Sequence, residues 1–311
     1  MTPVIDLSSD TSRTTEAGGV VGEAVAAAAS AARSARVSVR QLADLEHLEA
    51  VQNLYEGIWR PDGKTPPVTT ELLRALTKAG SYVGGAFDGG ELDSGEFIGG
   101  ELVGACVGFF SPPADEALHS HIAGVATGMR GRNVGYALKL HQRAWALQRQ
   151  VAEISWTFDP LVRRNAYFNL GKLAAAATEY LPNFYGPMHD GINGTDDTDR
   201  LLVTWRLAAP EVALACAGRR GAPHTVGVTA LGVSPRDRPV LGTLDGPTVL
   251  VAVPDDIERL RATDPARAAA WRSAVRDVLG GLLADGARIT GFDRAGRYIV
   301  ERKDTSWKNT A

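Results

Sequence analysis

Between residues 119 and 150 the chain changes its hydrophobic period by way of a glycine-bearing stretch. His119 to Val125 reads as a strand, and Tyr136 to Gln150 sets Leu138, Leu140, Trp145 and Leu147 on the apolar side of a helix. The join is Val125-Ala-Thr-Gly-Met-Arg-Gly-Arg-Asn-Val-Gly-Tyr-Ala137. Glycine and asparagine at such a turn let successive backbone N–H groups point one way. The helix N-terminus adds partial positive charge, so the segment suits a pyrophosphate. Arg130 and Arg132 can add charge-assisted bonds. Neither of the two common nucleotide loops is present: there is no Gly-Lys-Ser/Thr, and no Gly-x-Gly-x-x-Gly follows the first strand.

The segments on either side set the fold class. Val37 to Arg40 alternates like a strand, and Asp44 to Trp59 has helical spacing through Leu45, Leu48, Val51, Leu54, Tyr55 and Ile58. Pro61, Pro66 and Pro67 break the chain before a second helix, Thr70 to Lys78. Tyr82 to Phe87 and Glu101 to Phe110 read as strands joined by a Gly-rich acidic loop. Glu153 to Phe158 is a strand ended by Asp159-Pro160, Asn165 to Thr178 is predicted helical, and Arg200 to Leu207 is a closing strand. The order β-α-α-β-β-β-α-β-α-β predicts an α+β (mixed α/β) domain over 37–208, a central mixed sheet flanked by helices.

Two segments flank that domain. Residues 1–36 lack aromatic side chains, hold few long apolar ones beyond Val, Ile5 and Leu7, and are predicted to form a disordered or Ala-rich tail. Residues 209–311 form an appended unit of β-α-α-β-β order. Its strand is Thr248 to Val253, and Asp255 and Asp256 open its first helix. A second helix runs from Asp264 to Leu283, and a hairpin joins 287–292 to 297–300. The unit is expected to cover the acceptor side of a site or to build a homodimer.

Composition limits the partners. The 311 residues carry a formal charge of −3, which gives no electrostatic footprint for a nucleic-acid partner or an anionic membrane surface. No apolar run approaches the ~20 residues that span a bilayer. Cys106 and Cys216 make neither a disulfide framework nor a metal set, which points to a reducing, cytoplasmic setting and no bound metal.

Arg130-x-x-Asn133-x-Gly135 resembles the Arg/Gln-x-x-Gly-x-Gly/Ala motif of the GNAT superfamily of acyl-CoA N-acyltransferases, with Asn133 in place of the first glycine. Asn tolerates left-handed backbone better than most residues. The element order and a second motif, Asn165-Ala166 with Lys172-Leu173 seven residues on, extend the likeness over about 37–207. Further segments resemble a largely uncharacterised bacterial subgroup with a C-terminal extension: Leu118 to His121, Trp156 to Leu161, Arg164 to Ala166, Phe168 to Leu170, Tyr180 to Gly186 and Thr198 to Val203. Some of its members are linked to succinyl transfer onto amino acids. The resemblance implies a bacterial N-acyltransferase that moves an acetyl or succinyl group from acyl-CoA to a small-molecule amine. It also implies that Val125, Arg130, Gly131, Arg132, Asn133, Val134, Gly135, Tyr136 and Ala137 hold coenzyme A, with Asn165 and Asn169 near its pantetheine. Family enzymes attack directly, so neither cysteine is an expected nucleophile.

Aminolysis of a thioester needs a base for the amine and a proton for the departing thiolate. His119 and His121, two apart on one strand, point to one face. His121 is the candidate base, with a structural histidine as the competing reading, favoured for His119. Asp159, at a strand end, is a candidate substrate carboxylate or else a turn residue. The family's acid Tyr falls on Leu170, so Tyr185, then Tyr167, are the candidate proton donors, against packing aromatics. Arg163 and Arg164 read as a solvated pair or as contacts for an acidic group. A non-catalytic acyl-CoA sensor or assembly module is the alternative to an enzyme.

Overall fold

The computed structural model describes residues 10–59, 66–91, 97–188, 196–221, 223 and 225–303. They divide into two compact units, one within 1–58 and 67–154, the other within 59–66 and 155–311. The division falls inside the strand Glu153–Phe158, whereas the sequence reading sets a boundary at residue 208. Residues 155–208 and the extension beyond them thus fold as one body.

The first unit holds α1 (Asp10–Ala35), β1 (Ser38–Gln41), α2 (Leu45–Trp59), α3 (Thr70–Lys78), β2 (Tyr82–Glu91), β3 (Phe97–Phe110), β4 (Ala117–Val125) and α4 (Val134–Leu147). Its strands lie in the order β1-β2-β3-β4, each antiparallel to the next. Helix α4 seats against β3 because Gly104 has no side chain: a Cβ there would lie 3.1 Å from Leu138 and from Val134. Tyr82 meets the same helix, its hydroxyl 2.8 Å from His141 Nδ1 and its ring 5.0 Å from that of Trp145.

The expected tail is corrected by α1. Ala24, Ala28, Ala31 and Ala35 follow a helical period, and all are buried, at 1–8% exposure. Alanine's helix propensity forms the segment, and its small methyl lets two helix backbones approach closely. The packing of α1 along α4 supplies the burial that the tail's own composition does not. Residues 1–9 lie outside the described residues.

The second unit holds β5 (Glu153–Phe158), α5 (Arg163–Ala166), β6 (Ala176–Leu181), β7 (Arg200–Arg206), α6 (Pro210–Cys216), β8 (Val228–Val233), β9 (Pro239–Leu241), β10 (Thr248–Ala252), α7 (Ile257–Thr263), α8 (Pro265–Val275), α9 (Gly281–Ala284), β11 (Arg288–Phe292) and β12 (Arg297–Glu301). Strands β5, β7 and β6 are neighbours in that order, and a five-stranded sheet runs β11-β12-β10-β8-β9. The β10–β8 pair is parallel and the other pairs of that sheet are antiparallel. The β10-α7-α8-β11-β12 run matches the predicted extension, while α6, β8 and β9 precede the first strand predicted there. The whole is a mixed α/β fold of sheets flanked by helices.

The helix predicted over Asn165 to Thr178 is also corrected. Helix α5 widens into a π-helical turn at Tyr167–Lys172 and stops. Ala174 takes a left-handed backbone, φ 55°, and β6 begins at Ala176. The alanines at 174–177 favour helix, but tertiary bonds win: Trp205 Nε1 donates to the Leu173 carbonyl at 2.8 Å, and Arg220 caps the carbonyls of Leu170 and Gly171. Among the described residues no helix is long and apolar enough to cross a membrane.

Candidate functional site

In the first unit β4 ends at Val125, a single tight turn covers Thr127–Met129, and Arg130 resumes extended backbone. Gly131 (φ 87°) and Asn133 (φ 61°, ψ 22°) are both left-handed, so the asparagine adopts the conformation for which the motif uses glycine. Within the turn Met129 N–H bonds Ala126 O and Arg132 N–H bonds Met129 O, while Tyr136 and Ala137 N–H share Asn133 O. The N–H groups of Gly131, Val134 and Gly135 make no backbone hydrogen bond among the described residues. The latter two belong to the first turn of α4, whose N–H groups have no partner inside the helix.

Gly135 has room around it. Among the described residues a Cβ there would touch only Val125, at an ordinary 3.7 Å, and one at Gly128 or Gly131 would touch nothing within 4 Å. Among the described residues nothing requires the absence of a side chain at Gly135, which leaves that side of the cradle open for a ligand to approach the backbone. Val134 and Ala137 are buried beneath the cradle, Tyr136 is half-buried and Arg130 is exposed.

Arg132 departs from expectation. Its guanidinium holds both oxygens of Asp88 at 3.0 Å and donates to the carbonyls of Ala35 and Arg36 at 3.1 Å. Both of its terminal nitrogens are engaged by the protein.

His119 and His121 share a face of β4, as their spacing requires. Val107 pairs with Ile122 and Gly108 with Ser120, so His121 is the extra residue of a β-bulge and its side chain is exposed. Phe109 lies beside both, with ring centroids 5.3 Å from His119 and 5.8 Å from His121. Desolvation lowers both imidazoles below their ordinary value, helped for His119 by the charges of His121 and Lys139. His121 is therefore neutral at pH 7, the form that can accept a proton.

Behind this strand lies a polar cluster that sequence reasoning missed. Lys139 Nζ donates to Ser120 Oγ at 3.1 Å and to Gln142 Oε1 at 2.8 Å, and Cys106 Sγ is 3.6 Å from Ser120 Oγ. All four side chains are buried. Burial pushes Lys139 down to about 8 and raises the Cys106 thiol, which is thereby kept from acting as a thiolate nucleophile. The signal that could have found the cluster is Lys139, set between Leu138 and Leu140, with Gln142 three residues on along the same helix.

In the second unit the structure changes the reading of Asp159. Its carboxylate takes two parallel bonds of 2.9 Å from Arg272 and one of 2.5 Å from Arg261, besides the Leu161 N–H. Burial alone would raise its pKa, but Arg272 and then Arg261 outweigh it and hold the group far below the carboxylate range. Asp196 completes the cluster, bonded by both arginines at 3.0 Å. An ionised carboxylate with two guanidinium partners has no capacity left to take a proton from an amine. Asp159 is a structural anchor, nearer to the turn-residue reading than to the substrate one.

Tyr185 is 42% exposed, and its phenol shares a hydrogen bond of 3.0 Å with Thr157 Oγ1 of β5. Its loop is fastened by Thr198, whose hydroxyl accepts from Tyr185 N–H and donates to Gly186 O. The residue at the family's tyrosine position, Leu170, is buried at 3% exposure. Asn165 is half-buried in α5, with Val162 at the helix N-cap. Asn169 is buried and accepts from Trp156 Nε1 at 3.2 Å. Arg163 pairs with Asp255, and Arg164 with Glu258 at 2.8 and 2.5 Å. Among the described residues no cluster of three or more His, Cys, Asp or Glu could hold a metal ion.

No family model matches the chain, and no curated protein matches it. Solved structures do. An N-acetyltransferase from Staphylococcus aureus Mu50 is 14% identical over 55% of this chain and 98% of that one, with a TM-score of 0.42. A ribosomal-protein-S5-alanine acetyltransferase from Vibrio fischeri is 14% identical over 54% and 92%, also at 0.42. A protein from Desulfovibrio desulfuricans described as a GNAT-family acetyltransferase is 14% identical over 55% and 99%, at 0.39.

Proposed function

We propose that the chain is an acyl-CoA-dependent N-acyltransferase that moves an acetyl or succinyl group to the amine of a small molecule, amino acids included. The observation that carries this reading is the turn before α4. Left-handed Gly131 and Asn133, the N–H groups of Val134 and Gly135, which make no backbone hydrogen bond among the described residues, and the open side at Gly135 make a cradle for a pyrophosphate. Val125, Tyr136 and Ala137 frame that cradle, and Arg130 is the exposed cation beside it.

In this reading His121 takes the proton of the attacking amine. The amine nitrogen bonds to the thioester carbon, the carbon–sulfur bond breaks, and the thiolate leaves with the acyl group transferred. Tyr185 is the candidate donor to that thiolate, its phenol held by Thr157. Asn165 is the candidate pantetheine contact. For Asn169 the bond to Trp156 supports a role in holding the π-helical turn. No covalent enzyme intermediate is needed, in keeping with the buried cysteines.

A second reading, a non-catalytic acyl-CoA binder, is favoured by the departure at Leu170. Calorimetric titration with acetyl-CoA and succinyl-CoA, followed by mass-detected acyl transfer to a panel of amines, separates the two. Binding with transfer supports the enzyme, binding without transfer supports the sensor, and absence of binding defeats both.

A further inference from the structure

The residue expected to grip the phosphates, Arg132, points instead to the end of α1. Helix ends leave carbonyls without partners, and α1 stops where Arg36 turns left-handed, φ 53°. Two of those carbonyls, Ala35 and Arg36, are met by Nη2 of Arg132 at 3.1 Å. The same guanidinium grips Asp88 of β2 with two bonds of 3.0 Å, and Nη1 lies 3.3 Å from Met129 Sδ within the turn itself. Three elements far apart in sequence thus converge on one side chain between left-handed Gly131 and Asn133. The alanine face of α1 lies along α4, the helix whose first turn is the cradle.

We propose that Arg132 is a positioning residue, tying the end of α1 and Asp88 to the turn so that the N–H groups of Gly131, Val134 and Gly135 are preset for the pyrophosphate of a coenzyme A ester. The N-terminal helix is then a working part of the cofactor site. This rests on the coenzyme A reading above, and the two can fail separately. Arg suits the task because its planar fork serves a carboxylate and carbonyl oxygens together, which a single ammonium does not.

The sign of one substitution separates positioning from direct contact. Asp88 places a negative charge near the turn. If Arg132 met the phosphates directly, Asp88→Ala would remove a repulsion and free the guanidinium, and coenzyme A would bind tighter. If Arg132 positions the turn, Asp88→Ala weakens binding although an acid has been removed. We expect between about tenfold and a hundredfold weaker acetyl-CoA binding by calorimetry for Asp88→Ala and for Arg132→Met, with Arg132→Lys not restoring it. Both side chains are partly exposed, and circular dichroism checks that the variants fold. Amide hydrogen exchange across 128–135 should quicken in both variants without any ligand, which a direct-contact role would not produce. Affinity equal to or tighter than that of the unaltered chain in Asp88→Ala overturns the proposal. Should the unaltered chain bind no coenzyme A ester, the functional reading falls. Exchange then decides alone, and unchanged protection in Asp88→Ala overturns the latch.

Discussion

Arg272 holds Asp159 through two parallel hydrogen bonds of 2.9 Å, both side chains buried and 113 residues apart in the chain. The pair fastens the end of β5 to α8, and Arg261 fastens the same carboxylate to α7. Removing one member leaves a buried charge uncompensated, which costs about 3–5 kcal/mol. Asp159→Asn should lower the urea midpoint accordingly at pH 7. The sign with pH follows from the direction of the shift. The folded carboxyl lies far below the ~3.9 of an unfolded aspartate, so its contribution is fully present above about pH 5 and declines as pH falls below ~4. The variant should therefore show a shallower acid slope; an identical slope would remove Asp159 from acid unfolding.

His121 carries the pH dependence of activity in the proposed reaction. Desolvation lowers its pKa, so the rate should rise through an inflection below the ordinary ~6.5 and level off by neutrality. His121→Ala should cost about a hundredfold or more in kcat/KM and erase that inflection. A variant with the normal rate and profile would place the base elsewhere.

Gly135 separates folding from binding. Among the described residues a Cβ there meets only ordinary contact with Val125, so Gly135→Val should cost less than ~1 kcal/mol, glycine itself being a poor helix former. Its branched side chain nevertheless fills the open side of the cradle. Unchanged thermal stability with a large loss of coenzyme A affinity is the expected pair of results; unchanged affinity would take the turn out of the site.

What could be read from the sequence was local. Strand β4, its turn and α4 declare themselves by period and by glycine, and Asn133 is left-handed where the motif has glycine. What could not be read was decided by distant partners. The alanines of α1 carry no long apolar group, and the surface they bury is given chiefly by the distant α4. The alanines at 174–177 favour helix until Trp205 and Arg220 cap the turn before them. Arg132 reads as a phosphate ligand until Asp88, 44 residues away, is placed beside it. Asp159 reads as a free carboxylate at a strand end until two arginines more than 100 residues on are seen to claim it.

Lys139 offers a last test, through stability alone. Its amine is buried and lowered to about 8, whereas an unfolded lysine titrates near ~10.4. Below pH 8 the amine is charged in both states and its desolvation penalty is carried in full. Between about 8 and 10.4 the unfolded chain binds more protons than the folded one, so stability rises with pH. The full gain approaches about 3 kcal/mol. Tyrosines titrate in the same range, so the useful quantity is the difference between the unaltered chain and Lys139→Met. That difference, from urea unfolding at pH 7, 8, 9 and 10, should shift steadily in favour of the unaltered chain as pH rises. A difference that stays flat would mean that Lys139 keeps an ordinary amine, despite its place between Ser120 and Gln142.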